Sequence, residues 1–479
     1  MDNNEAKSLS KKTIHGVFAL VSRSLILQVV NLVAFLIISV ILTASELGIF
    51  IAVIAIQRII SFFTDFGLGA ALVQSKEELR REDLKTTFTV QFIITLIILI
   101  FFLIFSGNIQ SIFNLNQEGI NLLLALVFTI FLSSFKMIPS VLLERDINFS
   151  RLLIPQIGES LVFNAFLIIL VLNNFGITSY TVAFLVSSLV GIPLYYFVSP
   201  WRIGFGIKRS SLMHLRFGIQ FQAKNILATL KDDFLTVILT RFLPFYEIGY
   251  IGFAQRISFF AYRYIVDSVA KVTFSSYSRI QHHEEYLKQA IERSLFFISA
   301  AIFPLLFGFI IIFPYLVNYV PGWIKWEPAV ISVVFFSLNA VVSSISSILV
   351  NVLDATGRVR YTLRLMVLWT ILTWTLTPVL IKFFGYNGVA IASFIVALTI
   401  FITIYLVKQI VDFKLIKSIY KPTIATVMMV VFTILIAKFF IINLITLIFV
   451  IILGGLLYSV IFYLLSGKEI IRDLKKLYM

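Results

Sequence analysis

The 479-residue chain is 59% hydrophobic and only 13% charged, a balance that excludes an ordinary soluble globular protein and predicts a polytopic membrane protein. It contains no cysteine, which excludes a disulfide framework and a thiolate metal site, and its four histidines match no metal-ligand spacing. The net charge of +15 comes from basic residues scattered through short loops, so a membrane accounts for it and neither a nucleic-acid partner nor a metal or other cofactor is predicted.

Apolar segments of about 20 residues, the length that crosses a bilayer core, predict fourteen helices and an all-α fold. The first apolar run is longer than the core of a signal peptide, so the first helix is expected to remain attached. In chain order the predicted spans are 13–42, 47–74, 86–107, 119–144, 149–173, 177–199, 212–242, 246–276, 289–314, 328–353, 359–382, 387–408, 416–438 and 443–465.

The loops between these spans predict the orientation of the chain. Alternate loops and the two termini hold 27 Lys and Arg residues, whereas the opposite loops hold four. The positive-inside rule then places both termini in the cytoplasm. Trp323 and Trp326 lie in an opposite loop and are expected in the outer interfacial belt. No loop is long enough for a catalytic or nucleotide-binding domain, and no P-loop pattern occurs, so the chain is not predicted to be an enzyme.

Two segments of the chain resemble each other. "VILTASELGIFIAVIAIQRIISFF" at 40–63 and "VILTRFLPFYEIGYIGFAQRISFF" at 237–260 share three polar landmarks in the same order, with separations of 197 to 201 residues. Phe175-Gly176 and Phe384-Gly385 also occupy corresponding turns. Chance similarity between apolar segments is the alternative. A repeat of six spans is even-numbered, so both copies share one orientation and are related by a pseudo-two-fold along the membrane normal.

The repeat predicts the organisation of the chain. An N-terminal lobe covers 1–205, a C-terminal lobe covers 206–412, and 413–479 holds two further helices and a cytoplasmic tail.

Charged residues inside the predicted spans are the strongest functional signal, because each costs about 2.5–3.5 kcal/mol at a helix centre. The basic residues are Arg23, Arg58, Lys136, Lys224, Lys231, Arg256, Arg263 and Lys271. The acidic ones are Asp65, Glu159, Asp232, Asp233 and Asp267.

The arrangement of these charges favours a cavity lining. By the repeat, Arg23 corresponds to Lys224, Arg58 to Arg256 and Asp65 to Arg263. Four of the charges, at i, i+7, i+11 and i+15 of the eighth span, share one helical face. Simple ion pairing, or snorkelling for Arg23, is the alternative. The excess of cations favours an anionic ligand such as phosphate.

The sequence resembles the polysaccharide transporters of the multidrug/oligosaccharidyl-lipid/polysaccharide (MOP) exporter superfamily. The segments that carry the resemblance are "ASELGIFIAVIAIQRIISFFTDFGLGAALVQSKE" at 44–77, "PSVLLERDINFSRL" at 139–152, "EIGYIGFAQRI" at 247–257 and "FSSYSRIQ" at 274–281. The resemblance implies two six-helix lobes around a cationic central cavity in the bacterial cytoplasmic membrane. It also implies a flippase that moves undecaprenyl-diphosphate-linked oligosaccharide units to the outer leaflet by alternating access. A polymerase and glycosyltransferases of the same pathway are the partners that such a function would have.

In this interpretation the basic residues contact the substrate, and the acidic residues either form ion pairs or couple transport to an ion. We expect the diphosphate to contact Arg23, Arg58, Lys224 and Arg256, with Lys231, Arg263 and Lys271 around it. Asp65, Glu159 and Asp267 are candidates either for coupling to H⁺ or Na⁺ or for ion pairs. A flippase for the peptidoglycan precursor lipid II and a cation-coupled multidrug exporter of the same superfamily are the alternative functions.

Overall fold

The computed structural model describes residues 27–64, 68–74, 79–208 and 230–478, and the regular structure in these ranges is helical. As far as Leu239 the helices are α1 (Leu27–Ile41), α2 (Ala44–Thr64), α3 (Leu68–Gln74), α4 (Arg81–Ile104), α5 (Ser106–Ile112), α6 (Gln117–Arg145), α7 (Phe149–Leu172), α8 (Thr178–Val198), a π-helical turn (Leu230–Phe234) and α9 (Leu235–Leu239).

The rest of the chain forms α10 (Phe245–Ile280), α11 (Glu284–Tyr319), a 3₁₀ turn (Ile324–Ala329), α12 (Val330–Ala355), α13 (Val359–Phe384), α14 (Asn387–Ala397), α15 (Ile400–Lys408), α16 (Leu415–Phe440) and α17 (Leu444–Tyr478).

Eleven of the described helical segments are long and apolar enough to cross a membrane. Three predicted spans are not among these eleven. The first and seventh are represented by the described part of α1 and by the short helix α9. The eighth is α10, which is 36 residues long but carries several charged residues. Every predicted span therefore has a helical counterpart, and the prediction of an all-α polytopic protein with about fourteen spans is confirmed.

Local sequence explains where several of these helices begin. Thr43 and Glu46 form a capping box at the start of α2: the Thr43 backbone N–H donates to the Glu46 carboxylate at 2.8 Å, and the Glu46 N–H donates to Thr43 Oγ1 at 3.2 Å. Asn116 caps α6 by accepting from the Gly119 N–H at 2.8 Å. These caps satisfy backbone N–H donors at the helix start, which would otherwise be unpaired. Unpaired backbone donors are costly in a membrane.

The chain divides into two compact units, Met1–Gly249 and Tyr250–Met479. In the first unit α2, α6 and α8 pack around an aliphatic core that includes Val53, Leu122 and Val127. In the second, α11, α12 and the C-terminal half of α10 enclose a core that includes Val266 and Ile298. The predicted lobe boundary at 205/206 adjoins the undescribed residues 209–229 and stays a prediction.

Backbone geometry at two turns agrees with the repeat seen in the sequence. Gly176, between α7 and α8, has φ +55°, and Gly385, between α13 and α14, has φ +57°. Both values lie in the left-handed region that favours glycine. The corresponding Phe-Gly turns therefore share a positive φ angle as well as a dipeptide.

Gly48 and Gly249 make a reciprocal contact within the first unit. A methyl group on Gly48 would lie 1.7 Å from the carbonyl oxygen of Phe245, and one on Gly249 would lie 1.9 Å from that of Ala44. Gly48 and Gly249 are 201 residues apart, as are Ala44 and Phe245. Each glycine thus meets the residue four positions before the other, which is the contact that a two-fold relation of the two helix starts produces.

The interfacial position expected for Trp323 and Trp326 is wrong. Both side chains are buried in the second unit, and the Trp326 ring stacks on Phe253 with a centroid separation of 4.1 Å and an interplanar angle of 4°. The 3₁₀ turn between α11 and α12 folds these rings into the core. Hydropathy alone does not reveal this, because a tryptophan in a loop has the same sequence signature in either position.

Candidate functional site

The charged face predicted on the eighth span is present on α10. Arg256, Arg263, Asp267 and Lys271, which we call the charged stripe, are all exposed, whereas Val266, about a quarter of a turn around the helix from the stripe, is fully buried. Asp267 lies four residues from Arg263 and from Lys271, and both cations attract it electrostatically. Where α10 spans the membrane, as the sequence predicts, these charged side chains cannot face hydrocarbon at acceptable cost, so the stripe favours a water-filled lining.

In the first unit, Arg58 projects from α2 toward the π-helical turn. Its guanidinium Nη1 donates to Asp233 Oδ1 at 3.0 Å, and the Arg58 side chain is 60% exposed whereas that of Asp233 is 15% exposed. The carboxylate of the neighbouring Asp232 has its Oδ1 atom 3.5 Å from Lys231 Nζ. One ion pair thus engages Arg58 without covering most of its guanidinium.

A second ion pair of the first unit is more enclosed. Lys136 of α6 donates to Glu159 of α7 at 2.5 Å, with side-chain exposures of 14% and 23%. Ser188 Oγ of α8 is 3.5 Å from the same ammonium group. Gly191 leaves room for the carboxylate, since a methyl there would lie 1.5 Å from Glu159 Oε1. This pair connects three helices and places a neutral, hydrogen-bonded polar cluster inside the bundle.

The repeat relation between Arg58 and Arg256 is approximate. Arg58 follows Gly48 by ten residues, but Arg256 follows Gly249 by seven. Along each helix these spacings correspond to about 15 Å and about 10.5 Å. Both α2 and α10 are continuous over these stretches, so no insertion compensates for the difference. The two arginines therefore lie at different distances along the helix from the corresponding glycine, and they are not strictly equivalent in the repeat.

Three of the predicted site residues, Arg23, Asp65 and Lys224, lie outside the described residues, so their predicted roles stay predictions. The structure brings Arg263, Asp267 and Lys271 onto one face with Arg256 and places Lys231 beside Asp232. Sequence reasoning did not single out Asp233 as the partner of Arg58. The only sequence signal was the polar run "LKDD" at 230–233, in an otherwise apolar neighbourhood.

A resident metal is not indicated in the part of the chain that the structure describes. There, no group of three or more His, Asp or Glu side chains is arranged to hold a metal ion. The chemistry that the site offers is instead that of guanidinium and ammonium donors, which bind phosphate oxygens through charge-assisted hydrogen bonds.

A helical fold with eleven described segments long and apolar enough to cross a bilayer defines the class of the protein as a multi-pass membrane protein. The sequence profile of the polysaccharide biosynthesis protein family matches residues 37–331, and the chain belongs to this family.

Individual proteins agree with this assignment. The chain is 23% identical over 375 residues to the lipopolysaccharide biosynthesis protein WzxC of Escherichia coli (strain K12), covering 76% of this chain and 74% of that protein. In fold it is similar to the lipid II flippase MurJ in an inward closed conformation, with a TM-score of 0.75, 18% identity, and coverage of 94% of this chain and 99% of that one.

A further solved structure shares the fold. An inward-facing multidrug resistance MATE family transporter of the MOP superfamily has a TM-score of 0.60 at 15% identity, covering 82% of this chain and 98% of that one. The resemblance to MOP-type polysaccharide transporters predicted from the sequence is confirmed. MurJ is a flippase and the MATE protein is a transporter, in agreement with the expectation that the chain is not an enzyme.

Proposed function

We propose that this protein is a flippase for undecaprenyl-diphosphate-linked oligosaccharide repeat units, which it moves from the inner to the outer leaflet of the bacterial cytoplasmic membrane. Family membership supports a role in polysaccharide synthesis. The single observation that carries the transport step is the exposed charged stripe on α10, the helix at the position of the predicted eighth span. The polymer formed from the translocated units is an O-antigen, a capsule or an exopolysaccharide.

The physical reasoning starts from the substrate. A diphosphate does not cross hydrocarbon unaided, because its charge and hydrogen bonds to water have no replacement there. Arg256, Arg263 and Lys271 supply such replacements along one face of a helix, and Arg58 supplies another on α2. The prenyl chain remains in the bilayer while the charged head moves through a cationic cavity whose exposure alternates between the two sides.

Orientation and coupling belong to the same proposal. Both termini face the cytoplasm, as the distribution of loop charges favours. Among the described carboxylates that are candidates for coupling to H⁺ or Na⁺, Glu159 is held by Lys136, whereas Asp267 is exposed beside two cations. We therefore place coupling at Asp267 rather than Glu159. Asp267→Asn is expected to remove the dependence of transport on an imposed ion gradient, and an unchanged dependence would refute this part.

The test in cells is deletion of the gene followed by analysis of lipid-linked oligosaccharides. We expect a diphosphate-linked repeat unit to accumulate on the cytoplasmic side while polymer export stops. Accumulation of lipid II instead would favour the peptidoglycan-precursor flippase, and increased drug sensitivity alone would favour a multidrug exporter. A polysaccharide repeat-unit flippase is the stronger candidate, because the matching family is described as polysaccharide biosynthesis and WzxC as lipopolysaccharide biosynthesis.

The residue-level test uses complementation of the deletion strain. Arg58→Ala and Arg256→Ala are expected to abolish polymer export while the protein remains in the membrane at normal levels. Arg360→Ala is the matched control, since this exposed arginine lies near the start of α13 and outside the proposed site. Normal export by both site variants would overturn the assignment of these residues to the substrate.

A further inference from the structure

We infer that Asp233 is a resident counter-anion of Arg58, which engages the guanidinium while the site is empty and is displaced by the diphosphate of the substrate. The inference rests on the function proposed above. It assigns to Asp233 the role of a positioning residue that sets how tightly the substrate is held and how readily it is released.

The geometry of the pair is that of a partial contact. Arg58 Nη1 lies 3.0 Å from Asp233 Oδ1, and among the described residues this is the hydrogen bond that Arg58 makes. A guanidinium has five N–H donors, and 60% of the Arg58 side chain is exposed. Most of its donors are therefore open to a ligand, whereas Asp233, at 15% exposed, is held against the protein.

Competition follows from the chemistry of the two anions. Phosphate and carboxylate oxygens both bind the planar fork of an arginine, preferably through two parallel hydrogen bonds. A diphosphate that engages the fork of Arg58 in this way takes over the Nη1 donor that Asp233 uses. The diphosphate carries more charge than one carboxylate and offers more acceptor oxygens, so it displaces Asp233 on binding.

The same competition assists release. An arginine within a membrane-spanning helix is costly without a counter-charge, and Asp233 supplies that charge as soon as the substrate leaves. Part of the attraction between Arg58 and the substrate is thereby offset by the ion pair that re-forms. A carrier needs such an offset, because a site that binds its substrate too tightly does not turn over.

The local backbone fits a role for this segment in the site. Asp233 lies in the π-helical turn Leu230–Phe234, and turns of this kind occur frequently at functional sites. Its neighbour Asp232 is exposed and lies 3.5 Å from Lys231. Two adjacent carboxylates thus have different cationic partners, and Asp233 is the one that engages Arg58.

A purely structural role of the ion pair predicts a different outcome. If Asp233 only attached the turn to α2, its loss would loosen Arg58 and weaken substrate binding. If Asp233 competes with the substrate, its loss frees the guanidinium and strengthens binding. The sign of the change in affinity therefore distinguishes the two roles.

The experiment measures binding of farnesyl diphosphate, a short prenyl diphosphate, to the full-length protein in lipid nanodiscs, with farnesol as the uncharged control. We expect Asp233→Asn and Asp233→Ser to bind farnesyl diphosphate about three- to tenfold more tightly than the wild type, with slower dissociation. Asp233→Glu, which keeps the carboxylate, is expected to restore wild-type affinity. Glu285→Gln, which removes an exposed carboxylate paired with Lys288 outside the proposed site, is expected to change the affinity less than twofold.

Two different failures are distinguishable in this experiment. If Arg58→Ala weakens binding but neither Asp233→Asn nor Asp233→Ser strengthens it, the competition role of Asp233 is overturned and the proposed function stands. If the wild type does not bind farnesyl diphosphate, or if Arg58→Ala binds it equally well, the diphosphate contact of Arg58 is itself wrong. Thermal unfolding of each variant, measured in the same nanodiscs, checks that the comparison is made between folded proteins.

Discussion

Replacement of Gly48 by alanine tests the reciprocal contact between the starts of α2 and α10. The added methyl would lie 1.7 Å from the Phe245 carbonyl oxygen, whereas ordinary van der Waals contact begins at 3.4 Å. The two backbones must therefore move apart by about 1.7 Å, the difference between 3.4 Å and 1.7 Å. No rotamer change relieves the clash, because the atom that is met belongs to the backbone.

The expected magnitude follows from two opposing effects. Forcing extra volume into a packed contact costs about 1–3 kcal/mol, and a clash with backbone belongs at the upper end of that range. Alanine recovers about 1 kcal/mol relative to glycine inside a helix. The net expectation is a loss of about 1–2 kcal/mol in stability, seen as a lower melting temperature of the detergent-solubilised protein.

The fold provides its own comparisons for this measurement. Gly249→Ala is expected to have a similar effect, because its methyl would lie 1.9 Å from the Ala44 carbonyl oxygen. Gly455→Ala, in α17, meets nothing within 4 Å and is expected to leave stability unchanged or raise it slightly. If Gly48→Ala and Gly455→Ala unfold at the same temperature, the close approach of the two helix starts is refuted.

Three further predictions concern stability and are checked by thermal unfolding in detergent. Lys136→Met should destabilise the protein by about 2–3 kcal/mol, because it leaves Glu159 unpaired. The double variant Lys136→Met/Glu159→Gln should recover most of this loss. Additive effects of the two substitutions would contradict a coupled pair. Trp326→Ala should cost about 3–5 kcal/mol because the ring is fully buried, and a loss below 1 kcal/mol would contradict its place in the core. Gly176→Ala and Gly385→Ala should both be destabilising because of their positive φ angles. The effect should be larger at Gly176, where the added methyl would also lie 2.3 Å from the Glu46 carboxylate, and equal effects would argue against that contact.

The sequence predicted most helices of this fold, although the structure divides the predicted span 387–408 into α14 and α15. Apolar length alone located spans such as 119–144 and 359–382, which the structure extends by a few residues as Gln117–Arg145 and Val359–Phe384. The membrane makes this possible, because a spanning segment must satisfy its own backbone hydrogen bonds and so must be helical. The Phe-Gly turns were also predictable, since a left-handed residue after a helix favours glycine.

Ion-pair partners and burial were less accessible to sequence reasoning. Periodicity placed Arg256, Arg263, Asp267 and Lys271 on one helical face, but it did not identify Asp233 as the partner of Arg58, 175 residues away. Such a pairing depends on how α2 packs beside the π-helical turn, which no local pattern encodes.

Burial of Trp326 is a second example of this limit. It depends on the path of a loop that returns into the core, and hydropathy does not record that path. The unequal spacing of Arg58 and Arg256 from Gly48 and Gly249 is present in the sequence, but it becomes an unequal distance along the helix only because both helices are continuous.

The most direct test of the central claim is a flipping assay with the purified protein in proteoliposomes that contain a fluorescent undecaprenyl-diphosphate-linked oligosaccharide. The measured quantity is the rate at which the label in one leaflet becomes accessible to a membrane-impermeant quencher or hydrolase on the other side. We predict protein-dependent flipping that falls to the protein-free rate in Arg58→Ala and Arg256→Ala and is retained in Arg360→Ala. Flipping that is absent with the wild type, or equal in the wild type and both site variants, would contradict the account.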